Sequence, residues 1–162
     1  RAGERALPVG VVIAEASGPL HGLAIDLGTT TIAMRLHDLE TGRLRYVNAS
    51  HNAALLLRAD GEPEWLRSNG FPIGLQPGSR YHTVETEIRK GDLLLVYTDG
   101  ISEATNPEEE EFGPTRLLAT ARTHRDLAPR ELALALERDV DVFVRGEPYA
   151  DDRTLVVLRR LP

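Results

Sequence analysis

Apolar residues in the first hundred positions come in short runs separated by turn residues, the pattern of strands. Residues 9–14 are mostly β-branched or small and lie between Pro8 and Gly18, as a buried strand would. Residues 23–27 and 30–36 follow. The polar connection Asp38-Leu39-Glu40-Thr41-Gly42, with Gly42 where a positive φ is needed, leads into residues 43–48. Segments 30–36 and 44–48 are therefore expected to pair as a hairpin. Residues 53–58 predict a strand closed by an Asp60-Gly61 turn, and residues 69–78 are too dense in glycine and proline for regular structure. Residues 83–88 predict a half-exposed strand with Glu85 and Glu87 outward and Val84, Thr86 and Ile88 inward. Lys90-Gly91-Asp92 then turns the chain into residues 93–97, apolar at every position and so expected at the centre of a sheet.

After Asp99-Gly100 the period changes from two to about 3.6. Residues 115–123 predict a helix, and a longer one opens at Pro129. Its Leu132, Leu136, Val140 and Phe143 form one apolar stripe, and Gly146 ends it. Residues 154–158 predict a last buried strand. Strands first, helices late and one final strand describe an α+β layered domain, read as one unit over residues 1–162.

Composition narrows the class. The chain has 162 residues, 41% of them hydrophobic and 27% charged, in keeping with a soluble globular fold. Its net charge of -6 argues against nucleic acid as a partner, which would require a basic stripe. The absence of cysteine excludes disulfides, thiolate nucleophiles and Cys-based metal sites. No apolar run approaches a membrane span and no signal peptide is readable, so a cytoplasmic location is expected. The chain opens on Arg1 rather than Met, which suggests a fragment or processed form.

The residues that suggest chemistry are carboxylates at strand ends. Asp99 closely follows one apolar run, and Asp151-Asp152 precede another. Alternation along a strand predicts that only one of Asp151 and Asp152 shares a face with Asp99. Clustered carboxylates repel unless a cation or proton intervenes. With no cysteine, a hard divalent ion such as Mg²⁺ or Mn²⁺ suits them. The same residues also suit a simple Asp-Gly turn and an exposed loop.

Several segments together carry a resemblance. They are Asn48-Ala49-Ser50-His51-Asn52, Phe71-Pro72-Ile73-Gly74-Leu75, the run Gly91-Asp92 through Tyr97-Thr98-Asp99-Gly100 to Glu103-Ala104, Phe112-Gly113, and Asp151-Asp152-Arg153-Thr154-Leu155. In this order and spacing, over about residues 30–161, they resemble the second half of SpoIIE-like phosphatases of the PPM family of metal-dependent serine/threonine protein phosphatases. The resemblance implies a β-sandwich flanked by helices, with a binuclear Mn²⁺ or Mg²⁺ site where the sheets meet. It also implies hydrolysis of phosphoserine or phosphothreonine by a metal-activated water, on a bacterial regulatory protein of the anti-sigma-factor antagonist class. By position, Asp99 and Asp151 would be metal ligands, with Asp152 the less favoured neighbour.

The chain departs from that family on its N-terminal side. The family's Gly-Gly-Asp motif does not occur. The nearest echo of its Asp-Val-Ser-Gly-His-Gly motif is Ile13-Ala14-Glu15-Ala16-Ser17-Gly18, followed by Pro19-Leu20. Glu15 then stands where an aspartate ligand is expected, one methylene longer than a near-octahedral site prefers. Only eleven residues lie between Gly18 and Thr30, too few for the family's two helices, so the domain reads as abbreviated at this end. An alternative follows: a pseudo-phosphatase that keeps the fold and binds a signalling partner without turnover.

Residues 22–33, with Asp26 and the turn Gly28-Thr29-Thr30, are similar to the phosphate-binding hairpin of actin-like ATPases, which would make the chain a nucleotide-binding fragment; Asp26 is also a substitute candidate metal ligand. His51 reads as a hydrogen-bonded hairpin histidine or a residue near the active face. The acidic run Glu108-Glu109-Glu110-Glu111 reads as a solvated loop near the substrate mouth, with Arg116 and Arg153 available to offset it. Trp65 and Phe71 read as a minor cluster or a partner-contact patch.

Overall fold

The computed structural model describes residues 31–38, 41–149 and 151–161. The strands expected at 9–14 and 23–27 lie outside the described residues. The hairpin forms: β1 (Thr31–Asp38) pairs antiparallel with β2 (Arg43–Ala49), Thr31 opposite Ala49 and Leu36 opposite Leu44. Gly42 has φ 74°, and a Cβ there would stand 2.1 Å from the Ile88 carbonyl oxygen, so both backbone and space require glycine. β5 (Val84–Glu87) joins the other side of β2, giving a three-stranded sheet ordered β1-β2-β5. Glu85 sits opposite Arg45 and pairs with it at 3.0 Å.

The second sheet is ordered β4-β3-β6-β7, from β3 (Ala54–Leu57), β4 (Pro63–Leu66), β6 (Leu93–Tyr97) and β7 (Leu155–Arg159). β6 is internal and buried at every position, as its unbroken apolar run predicts. β4 was not foreseen. It opens on Pro63, whose missing N–H suits the first residue of an edge strand, and the short Pro-Glu-Trp-Leu segment carries no clear alternation.

Alternation along these strands separates two cores. Ala54, Leu56, Leu94, Val96 and Val156 face the first sheet and meet Leu44, Tyr46 and Ile88. Leu55, Leu57, Leu93, Leu95, Tyr97, Leu155 and Val157 face the helices. The second sheet is thus covered on both sides, which explains its continuous apolar runs. On the first sheet, Val84 is 36% exposed although alternation points it inward, because β5 is an edge strand among the described residues. The helical layer consists of α2 (Gly113–Thr123) and α3 (Pro129–Val144). α3 buries Leu132, Leu136 and Val140 as its stripe predicts, while Phe143 packs edge-on against Phe112 at 5.5 Å. Arg145 in the left-handed region and Gly146 at φ 89° end the helix.

A buried carboxylate fastens the two sheets. Asp92 is 1% exposed and accepts from Ala59 N–H at 2.9 Å, Arg89 N–H at 2.8 Å and Arg58 Nη1 at 2.8 Å. Arg58 also pairs with Glu64 and donates to the Glu87 carbonyl, linking β3 and β4 to β5. Burial works to lower the Arg58 pKa, but the hydrogen bonds to Asp92 and Glu64 outweigh it, and the net direction is up.

Candidate functional site

β6 and β7 run antiparallel with Tyr97 opposite Leu155, so the end of one and the start of the other meet at one edge of the sheet. Asp99 lies just past β6 and opens a four-residue helix, α1 (Asp99–Ser102), where the sequence reads a turn. Asp151 and Asp152 precede β7. Thr98 latches the two segments. Its N–H donates to the Thr154 carbonyl at 3.0 Å, its Oγ1 donates to the Asp152 carbonyl at 2.9 Å, and the same oxygen accepts from Thr154 N–H at 2.8 Å.

Gly100 makes the closest approach. A Cβ there would stand 2.4 Å from Asp152 O and 3.0 Å from Asp151 O. Its φ is not positive, so glycine is needed for proximity and not for the turn. Both carbonyls of the Asp151-Asp152 pair therefore abut Gly100. The expectation that only one of the two shares a face with Asp99 rests on strand alternation, and these residues lie in the loop before β7, where that alternation does not operate.

The three side chains Asp99, Asp151 and Asp152 are exposed, and among the described residues none forms an ion pair. One oxygen of Asp99 accepts from Gly100 N–H at 3.0 Å, and one of Asp151 from Asp152 N–H at 2.7 Å. Unneutralised carboxylates with carbonyls nearby are oxygen donors of the kind Mg²⁺ and Mn²⁺ take, so these residues fit part of a divalent-cation site. Among the described residues no group of three His, Asp or Glu side chains converges on one point. Glu15 and Asp26 lie outside the described residues, as does the turn at 28–30 of the nucleotide-type hairpin.

Asn48 and Asn52, which the sequence reading placed in a motif without individual roles, brace this edge. Asn48 is fully buried. Its Oδ1 accepts from His51 N–H at 2.8 Å and its Nδ2 donates to the Leu66 carbonyl at 3.2 Å. Asn52 Nδ2 donates to Ser102 Oγ at 3.2 Å, tying this loop to α1. The signal available in the sequence was Asn48-Ala49-Ser50-His51-Asn52 directly after a strand, dense in side chains that bond backbone. His51 is 5% exposed with Nδ1 2.9 Å from the Asn52 carbonyl, hydrogen-bonded as expected, but it lies in the connection that carries the chain from β2 in one sheet to β3 in the other and not in a hairpin.

The acidic run is a built loop. Asn106 Oδ1 accepts from Glu108 and Glu110 N–H groups at 3.0 and 2.9 Å, Arg116 pairs with Glu110 at 3.1 Å, and Arg145 pairs with Glu108. Arg153 does not join it; its partner is Asp141. Trp65 packs against the helix-side core while Phe71 is 60% exposed. Tyr97, at the end of β6, is 3% exposed, and burial pushes its pKa up to about 12. Among the described residues no helix is long and apolar enough to cross a membrane.

Residues 4–161 match the family model for Stage II sporulation protein E, so the similarity begins well before residue 30. Protein IcfG of Synechocystis sp. is 30% identical over 130 residues, 80% of this chain and 20% of its own length. Stage II sporulation protein E of Bacillus subtilis is 26% identical over 131 residues, 80% of this chain and 15% of its own length. The chain spans a fifth or less of these relatives. The SiaA-PP2C domain of Pseudomonas aeruginosa has the same fold, with a TM-score of 0.70 at 21% identity over 80% of this chain and 51% of that one. The Mn-presoaked phosphatase domain of SpoIIE from Bacillus subtilis gives 0.61 at 24% identity, over 82% and 56%. The RsbU and RsbW domains of Rv1364c from Mycobacterium tuberculosis give 0.59 at 27%, over 82% and 36%.

Proposed function

The chain belongs to the SpoIIE family of phosphatase domains, and on that premise we propose that it hydrolyses phosphoserine or phosphothreonine on a bacterial regulatory protein of the anti-sigma-factor antagonist class. In this reading residues 1–162 are one domain acting in the cytoplasm, and Asp99 and Asp151 hold Mn²⁺ or Mg²⁺, with Asp152 adjacent and Glu15 a further ligand. The carrying observation is the approach of Gly100 to the Asp151 and Asp152 carbonyls, which sets the acidic ends of β6 and β7 side by side.

Each residue then has a task. Unpaired carboxylates repel a phosphate dianion, so this edge accepts one only after a cation has bound. When bound, the ion polarises a phosphoryl oxygen and lowers the pKa of the attacking water. Thr98 and Gly100 keep the two acidic segments in register, and Asn52, through Ser102, fixes the helix that carries Asp99. The partner class is supported by the resemblance to SpoIIE-like phosphatases and by a solved relative composed of RsbU and RsbW domains.

The test is hydrolysis of a phosphate monoester and of a phosphoserine protein, with Mn²⁺, with EDTA, and with D99N and D151N. Turnover that requires Mn²⁺ and drops at least ~100-fold in either variant, equivalent to ~3 kcal/mol of transition-state stabilisation, is expected. A second reading, the partner-binding pseudo-phosphatase, is favoured by Glu15 standing in place of the family's aspartate. Turnover no greater than the EDTA blank would overturn the first reading.

A further inference from the structure

Arg153 sits directly between the acidic pair and β7, yet it points into the protein. It is 8% exposed, and its Nη1 donates to Asp141 Oδ1 on α3 at 2.9 Å. Its guanidinium carbon lies 3.6 Å from the centroid of the Tyr149 ring, and the Tyr149 hydroxyl donates to the same Asp141 oxygen. One carboxylate on α3 and one ring in the loop that follows it, two residues before Asp151, therefore grip one guanidinium, and Asp141 is the group that ties it to α3. The planar, always-charged head of arginine makes the stack and the ion pair at once, which lysine cannot do equally well.

The other wall of this grip is α1. Arg153 lines a cavity of about 20 Å³ together with Ile101, Leu136, Glu137 and Val140, room for a single water. Ile101 is two residues from Asp99 and 4% exposed. The Arg153 Nε is buried without a hydrogen-bond partner, so the side chain is incompletely satisfied where it lies. An apolar side chain would fill this space without leaving a donor unpaired.

We propose that Arg153 is a positioning residue for the cation site: by clamping the start of β7 to α3 it presses the Asp151-Asp152 carbonyls onto Gly100 and so sets how tightly Asp99 and Asp151 hold a divalent ion. This rests on the reading that those carboxylates bind one. Arg153 touches neither ion nor substrate; its charge is already met by Asp141. Its effect is on the loop, and loosening the loop widens the spacing of the two carboxylates.

The test uses the 162-residue chain, with Mn²⁺ titrated by calorimetry and backbone amide exchange of Gly100, Asp152 and Thr154 followed without metal. The variants are R153M, R153K and D141N, the last at a half-exposed position that leaves the Arg153 stack in place. Amide exchange at least ~10-fold faster at these three positions, and Mn²⁺ binding ~10- to 100-fold weaker in R153M, are expected, the range for groups that orient metal ligands. R153K and D141N are expected to fall between R153M and the parent. Unchanged exchange, or Mn²⁺ affinity within twofold of the parent in R153M, overturns the clamp and leaves the metal reading standing. If R153M does not fold, the same two outcomes are read from D141N. A parent chain that binds no Mn²⁺ overturns the metal reading, and the clamp's role with it.

Discussion

Gly100→Ala isolates the contact on which the site depends. The φ at Gly100 is not positive and the residue lies in a helical turn, so alanine suits the local backbone and by propensity alone would gain up to ~1 kcal/mol. Against this stands the Asp152 carbonyl oxygen, 2.4 Å from where the new Cβ would be; restoring an ordinary 3.4 Å contact requires a movement of about 1 Å. The obstructing atoms are backbone, so no rotamer relieves them. Overpacking of this kind costs ~1–3 kcal/mol, leaving a net loss of only ~0–2 kcal/mol. The functional effect is larger, because a displacement of ~1 Å between reacting groups costs ~100-fold in rate. Urea unfolding followed by Trp65 fluorescence measures the first quantity, and Mn²⁺-dependent phosphoserine hydrolysis the second. A Gly100→Ala protein as stable as the parent or more so, with undiminished Mn²⁺ affinity and turnover, would refute the argument, since the added methyl would then meet nothing.

Two further outcomes probe the scaffold. Asp92→Ala takes one of two carboxylate partners from Arg58 and leaves two backbone N–H groups without an acceptor, so a loss of ~2–5 kcal/mol is expected in urea unfolding; a loss under 1 kcal/mol would show that the network is not what fastens the sheets. Mn²⁺ affinity of the folded fraction should not change, because Asp92 and Asp99 flank opposite ends of β6. The raised Tyr97 pKa makes stability fall at high pH. Below pH 10 both states hold the proton; between 10 and about 12 the unfolded chain releases it while the folded chain retains it, so folding loses up to ~2.7 kcal/mol across that window. Tyr97→Phe should flatten this part of the pH–stability curve, and an unchanged slope would mean that Tyr97 stays protonated in neither state or both.

Periodicity is local and survives in the chain without its fold. The unbroken apolar run at β6 could be read as a strand buried on both faces, and the Leu132-Leu136-Val140 stripe as a helix lying on a sheet, because each pattern reports the environment of its own element. The places of Asp99 and Asp151 near strand ends were legible for the same reason, while their reading as metal ligands came from the family resemblance. What these segments lacked was any record of their partners. β4 escaped because a four-residue edge strand opening on proline has too little length to alternate.

The sequence by itself thus determined that strands and two late helices make a layered α+β domain, and that acidic residues stand near its strand ends. Only the tertiary structure decided that β6 lies beside β7, that Gly100 is bare so that two carbonyls can reach it, and that Arg153 turns inward to Asp141 rather than outward to the acidic loop. These contacts join positions about 50 residues apart, or 12 apart across a helix end, and depend on register and close packing. Such information resides in the complementarity of two segments, and neither segment's own pattern of apolar and polar residues encodes it.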